Sequence, residues 1–220
     1  MRKIIFPPVH EADENGLLAI GGDLEVDTLL TAYKQSIFPW PLSKEYPLTW
    51  FSPDPRGVIL FSDLHIPKSL KKFLKKKIYN VTFNQHFEKI IKRCCNIKRK
   101  GETETWITHE MIQSYINLFH KGHAFSVEVW EKNQIVGGMY GVCIGNFFAG
   151  ESMFHEKTNA SKVAIISLIE HLKSHQVTFL DTQMTTPVTE MLGASEISRE
   201  KYLYLLAKCN FNKDRSQFFA

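Results

Sequence analysis

The amino-acid sequence predicts an α+β fold in which a loop-rich N-terminal stretch precedes helices packed on a mainly antiparallel sheet. Three observations carry this expectation. Turn signals at Asn15-Gly16 and Gly21-Gly22, with prolines at Pro39, Pro41, Pro47, Pro53 and Pro55, leave the early chain room for one helix only. After Arg56 the apolar pattern alternates between strand and helix periods. Strand-like runs then follow one another from Phe125 to Phe154, joined by the turns 131–134 and 144–146, as in an antiparallel meander. At 220 residues, the chain accommodates a domain of roughly 150 residues plus a smaller module.

Taken in order, the first helix is expected after Asp27 as its cap, with Leu29, Leu30 and Tyr33 on one face. The rest of that region reads as ordered loop held by Phe38, Trp40, Trp50 and Phe51. A strand at Val58–Phe61, a helix from Pro67, a strand at Tyr79–Phe83 and a helix at Gln85–Cys95 follow. The helix Thr108–Lys121 carries Met111, Ile112, Tyr115, Leu118 and Phe119 on one stripe and stops at Gly122. Strands at Phe125–Trp130, Ile135–Cys143 and Phe147–Phe154 lead to a helix at Asn159–Ser174 and a short strand at Val177–Thr182. Ser198 caps the last helix.

Composition limits function. With 44% hydrophobic and 23% charged residues the chain is neither disordered nor fibrous. The longest apolar stretch, near Val163–Ile169, is far short of the ~18 residues that span a bilayer, and the apolar run at Ile4–Phe6 is too short for a signal-peptide core. Cys94, Cys95, Cys143 and Cys209 form no CxxC pair, so reduced thiols and a cytoplasmic location are expected. His109-Glu110 and His155-Glu156 begin like zinc-protease helices, but Gln113 and Asn159 stand where the second ligand belongs, so no metal is expected. Phosphate-binding glycine loops, including the pyrophosphate loop of an acetyl-coenzyme A enzyme, are absent. The net charge of +4 gains meaning from one cluster: Lys68, Lys71, Lys72 and Lys75 fall at helical spacing while Leu70, Phe73 and Leu74 face the other way. Such a stripe is either a solvated face or a surface for polyphosphate.

Seven segments, in order across nearly the whole chain, resemble the leucyl/phenylalanyl-tRNA protein transferase family: NGLLAIGGDL (15–24), AYKQSIFPW (32–40), WFSPDPRGV (50–58), TWITHEM (105–111), GHAFSVEVW (122–130), VGGMYGV (136–142), and GESMF with NASK (150–162). The resemblance implies a small N-terminal domain, residues 1–56, and a catalytic domain, residues 57–220, of acetyltransferase-like (GNAT-type) fold. It also implies transfer of Leu, Phe or Met from aminoacyl-tRNA to proteins beginning with Arg or Lys, creating an N-degron. Aminoacyl-tRNA is then a co-substrate, no cofactor is needed, and a cytoplasmic monomer is expected.

An aminoacyl ester is already activated, so the enzyme must position a neutral α-amine, whose pKa is about 7.7–8.0, and stabilise the developing charges. Asp181 and Gln183 are i and i+2 at a strand end, hence on one face: either a polar sheet edge or an acting pair. By resemblance Gln183 meets the attacking amine, Asp181 stands behind it, and Glu151 holds the α-amino group of the aminoacyl moiety. A neutral amide is a poor base, so Gln183 is expected to orient the amine through its carbonyl oxygen, with Asp181 orienting the amide. The resemblance assigns the side-chain pocket to Met139, Phe148, Met153, Ile165, Leu168 and Leu180, which ordinary core packing would also explain. It places Trp40 and Trp106 near the terminal adenosine and Lys68, Lys71, Lys72 and Lys75 against the acceptor stem. The chain departs from the family pattern at Thr182 (commonly Cys), at Val188–Met191 (a His-containing stretch) and at Leu168 (Phe). A small-molecule N-acetyltransferase and a noncatalytic RNA-binding module are the rival readings.

Overall fold

The computed structural model describes residues 4–42, 46–96, 107–214 and 218. Trp106 lies outside them. The N-terminal region folds as β1 (Leu17–Ile20), α1 (Val26–Lys34), β2 (Phe38–Pro39) and β3 (Thr49–Phe51), with the strands in an antiparallel sheet of order β1-β3-β2. The expectation of plain loop around α1 is thereby corrected. These strands are two to four residues long, too short for a period of two to register among turn residues. Asp27 is not the cap of α1, because it already lies in the first turn behind Glu25. The ordering carboxylate is Asp23, which accepts from the Glu25 amide at 3.1 Å and the Thr28 hydroxyl at 2.6 Å.

The rest of the chain runs β4 (Arg56–Leu60), α2 (Lys68–Leu74), β5 (Asn80–Phe83), α3 (Phe87–Asn96), α4 (His109–His120), β6 (Ala124–Glu131), β7 (Gln134–Ile144), β8 (Phe147–His155), α5 (Ala160–Ser174), β9 (Phe179–Gln183), α6 (Pro187–Met191), β10 (Ser195–Ile197) and α7 (Arg199–Ala207). Thr108 and Ser198 cap α4 and α7 through their hydroxyls, Ser198 as the sequence predicts. Seven strands form one sheet in the order β10-β4-β9-β8-β7-β6-β5. Neighbours are antiparallel except β8 and β9, which run parallel and meet in one pairing, Ala149↔Asp181. Two short elements, α6 and β10, were not expected.

Apolar residues on the two faces of the sheet build two cores. On one face α5 buries Ala164, Ile165, Leu168 and Ile169 against Phe125, Val127, Phe148 and Leu180. Its start approaches β7 closely, and a side chain at Gly137 would place Cβ 2.5 Å from that of Ala160, so glycine is required there. On the other face α3 and α4 pack Ile90, Met111 and Tyr115 against Tyr140, Ala149 and Phe154, and the same core continues through Leu29, Tyr33, Phe38 and Trp50 of the N-terminal region. Each fully buried Leu or Phe contributes about 1.5–3 kcal/mol relative to exposure. A shared core therefore joins the two regions strongly.

Candidate active site

Two strand irregularities bring the site together. On β8, Gly150 pairs with Gly141 and Ser152 with Tyr140, so Glu151 is the extra residue of a β-bulge. The bulge switches the parity of the strand: Phe147 and Ala149 face the α3/α4 core before it and Phe154 after it. It also re-aims Glu151 toward α4. Gly141 makes the crossing possible, since a Cβ there would lie 2.1 Å from the Ala149 carbonyl oxygen. On β9, Asp181 pairs with Val58 and Gln183 with Gly57, leaving Thr182 bulged between them. Gln183 adopts a left-handed backbone with φ of 57°, and the Met184 amide closes a tight turn around it onto Thr182 O at 2.6 Å. For a residue with a side chain this conformation costs on the order of 1–3 kcal/mol, and such strain gathers at functional sites.

Asp181 is fully buried, and both its oxygens are engaged. Arg56 grips it with Nε to Oδ1 at 3.0 Å and Nη2 to Oδ2 at 2.7 Å, the Tyr202 hydroxyl donates to Oδ2 at 2.7 Å, and the Gln183 backbone N–H donates to Oδ1 at 2.9 Å. The guanidinium lies between the Phe38 and Tyr202 rings, 4.7 and 4.6 Å from their centres, and its Nη1 donates to Ser36 O at 3.1 Å. Burial opposes the charge on Arg56, but Asp181 outweighs it and raises the guanidinium above its ordinary value. Burial, with Asp181 adding, likewise raises the Tyr202 hydroxyl. Asp181 therefore orients Gln183 through its backbone and does not touch its amide, contrary to the expected side-chain pair.

The Gln183 amide is set by Glu151 instead, with Nε2 donating to Oε1 at 2.8 Å. That leaves the amide oxygen as the accepting edge of Gln183. The Tyr115 hydroxyl donates to Glu151 Oε2 at 3.1 Å and lies 2.6 Å from the Tyr33 hydroxyl, which also supports Glu151. Burial pushes the half-buried Glu151 carboxyl up to about 7, the hydrogen bonds of Tyr33 and Tyr115 opposing and the charge of Asp181 reinforcing the rise. Both tyrosines are raised well above their ordinary value by burial and by Glu151.

Met139, Phe148, Ile165, Leu168 and Leu180 are all buried in the core on the α5 face, with half-buried Met153 against them. Gly150 sits at their edge: Met139 Cε and Leu180 Cδ2 lie 3.4 and 4.0 Å from where its Cβ would stand. Trp40 is half-buried with its ring 6.4 Å from Phe38, the ring that stacks on Arg56. Lys68, Lys71 and Lys72 on α2 and Lys75 at its C-cap are exposed while Leu70 is buried, so the stripe has the polarity the spacing predicts. Among the described residues no His, Cys, Asp and Glu cluster could hold a metal, and no helix is long and apolar enough to cross a membrane.

A family model described as leucyl/phenylalanyl-tRNA protein transferase matches residues 58–207, and the model of that family's N-terminal domain matches residues 22–54. The chain belongs to this family. It is accordingly an aminoacyltransferase that uses aminoacyl-tRNA and modifies protein. A leucyl/phenylalanyl-tRNA–protein transferase of Flavobacterium johnsoniae is 48% identical over 93% of this chain and 96% of its own length. Proteins of the same name from Syntrophobacter fumaroxidans and Hydrogenovibrio crunogenus are 45% and 44% identical, over 94% and 97% of this chain and 88% and 83% of theirs.

Sequence reasoning missed Arg56, Tyr33, Tyr115 and Tyr202, which surround Glu151 and Asp181 in the candidate site. Tyr33 and Tyr115 lie on the apolar stripes of their helices and read as core. A buried Tyr must nevertheless place its hydroxyl on a partner, and that requirement is the signal that points from such stripes to a polar centre.

Proposed function

We propose that the chain transfers Leu, and with it Phe and Met, from aminoacyl-tRNA to the N-terminal Arg or Lys of acceptor proteins, creating an N-degron. The observation that carries this reading is the Glu151–Gln183 contact at 2.8 Å, beyond the single pairing where β8 and β9 meet. Ionised Glu151 holds the α-amino group of the donor and fixes the Gln183 amide. The Gln183 oxygen then accepts a hydrogen bond from the acceptor amine and aims its lone pair at the ester carbonyl. As the C–N bond forms and the ester C–O bond breaks, the amine proton passes to the leaving ribose oxygen, which departs as the hydroxyl. Asp181, paired with Arg56, holds the turn at Gln183 through the Gln183 backbone N–H and so keeps the accepting oxygen in place.

The donor side chain enters beside Gly150 into the apolar cluster of Met139, Phe148, Met153, Ile165, Leu168 and Leu180. Trp40 and Trp106 receive the terminal adenosine, and Lys68, Lys71, Lys72 and Lys75 track the acceptor stem. A small N-terminal domain, 1–56, thus supports an acetyltransferase-like catalytic domain, 57–220, acting as a cytoplasmic monomer without cofactor. The mainly antiparallel sheet with one parallel pair supports that assignment of fold. Incubation with Leu-tRNA and an Arg-initiated peptide should add one Leu to the peptide, read by mass. An unmodified peptide, or acetylation from acetyl-coenzyme A instead, overturns the reading.

A further inference from the structure

Beside the exposed lysine stripe lies a surface pocket of about 220 Å³ between α2 and the start of α5. Its walls are tied together by Tyr79, whose ring centre is 5.6 Å from that of Phe73 and whose hydroxyl donates to the Thr158 carbonyl at 3.0 Å. Lys72 and Lys76 line it from α2 and its C-terminal end, and Lys162 lines it from the first turn of α5. Ser69 and Asn159 add neutral polar groups, and no carboxylate lines the pocket. None of the three lysines forms an ion pair among the described residues.

Like charges around one concavity repel, and an anion between them removes that cost. Asn159 adds to the positive potential by what it does not do. It takes a left-handed backbone with φ of 65° and leaves α5 without a side-chain cap, its Oδ1 accepting instead from Lys162 Nζ at 3.3 Å. A compact site with three amines, a hydroxyl and no acid suits a phosphate group.

We propose that this pocket is a phosphate subsite that seats one backbone phosphate of the RNA substrate, with Lys76 and Lys162 as charged walls beyond the stripe itself. The inference rests on the reading that the chain binds tRNA. Lys76→Ala/Lys162→Ala should therefore be compared with the parent in two titrations.

In the first, inorganic phosphate added to ¹⁵N-labelled protein should shift the amides of Ser69 and Asn159–Lys162 in the parent but not in the variant. In the second, Leu-tRNA binding across a salt series should weaken several-fold in the variant. The slope of log affinity against log salt should flatten by about 0.9, the release expected for one phosphate contact. Absent phosphate shifts together with an unchanged slope overturn the subsite. Phosphate shifts that the variant loses while tRNA affinity and slope stay at the parent's values overturn the RNA source and assign the pocket to a free phosphate compound. Parent protein that transfers Leu while the variant binds tRNA identically defeats this inference alone. Parent protein that neither binds nor uses Leu-tRNA defeats the functional reading beneath it, and the inference falls with it.

Discussion

Glu151 and Asp181 are both carboxylates of the candidate site, yet their surroundings differ in kind. Asp181 meets a guanidinium and a tyrosine hydroxyl, whereas Glu151 meets two tyrosine hydroxyls and an amide, and burial pushes its carboxyl up to about 7. The ionised form of Glu151 is the working one, so kcat/KM should rise through about pH 7 and again with deprotonation of the acceptor amine near 8. Glu151→Gln should lower the rate and abolish the first rise; a profile identical to the parent's removes Glu151 from the chemistry. Because the folded-state value lies above the ordinary 4.5, Glu151 favours the unfolded chain increasingly as pH climbs from about 4.5 to 7. Glu151→Gln should thus raise Tm at pH 8 but not at pH 4, by a free energy on the order of 3 kcal/mol at most. Gln183→Ala and Asp181→Asn then separate transition-state orientation from scaffolding. The first should cut kcat strongly with tRNA affinity and Tm nearly intact. Asp181→Asn leaves Arg56 buried without its counter-charge and should cost about 3–5 kcal/mol of stability. If Asp181→Asn melts like the parent, the buried pair is not the scaffold of the site.

At the scale of elements, legibility followed length and period. The helices α3, α4 and α5 and the meander of β6, β7 and β8 were readable from their apolar spacing and turn signals, and α7 from its Ser198 cap. The strands β1, β2, β3 and β10 were not, since two to four residues carry no period and their partners are distant in sequence. The bulges that aim Glu151 and isolate Thr182 are register properties of strand pairs, and a single strand's sequence does not contain them. For that reason the resemblance could single out Glu151, Asp181 and Gln183 as candidates, while the Glu151–Gln183 and Arg56–Asp181 pairings appear only in the structure. The stripe on α2 was legible in full, because i, i+3, i+4 and i+7 fix a helix face without any partner. Replacing Lys68, Lys71, Lys72 and Lys75 by Glu should weaken tRNA binding and flatten its salt dependence, because fewer counterions are released. An unchanged slope in filter binding would return these lysines to an ordinary solvated surface. Within α5, Leu168 is fully buried, so Leu168→Phe tests whether this wall faces the donor. The Leu-to-Phe transfer ratio should shift by several-fold, the scale of about 1–3 kcal/mol per methylene-sized change of fit; an unmoved ratio places Leu168 in the core alone.

For the whole molecule, the contacts that shape the site cross between the N-terminal region and the large sheet. Tyr33 of α1 reaches Tyr115 of α4, Ser36 and Phe38 hold Arg56, and Arg199 at the start of α7 donates to Ser52 O at 2.8 Å. Beneath these bonds one apolar core runs from Leu29, Tyr33 and Trp50 to Tyr140 and Tyr202. Opening the interface would strip Asp181 of Phe38 and Ser36 around its partner Arg56 and would expose the shared core in the same step. The two regions are therefore expected to unfold as one cooperative unit, with no state in which the sheet stays folded and the N-terminal region is loose. Trp50, 1% exposed with its ring 4.9 Å from Phe6, reports on the N-terminal region if Trp40, Trp106 and Trp130 are changed to Phe. Its fluorescence and the far-ultraviolet circular dichroism of the whole chain should then share one denaturant midpoint. A Trp50 transition at lower denaturant, with the dichroism intact, would mean that the region supplying Tyr33 and Phe38 detaches on its own and that the site is assembled by docking.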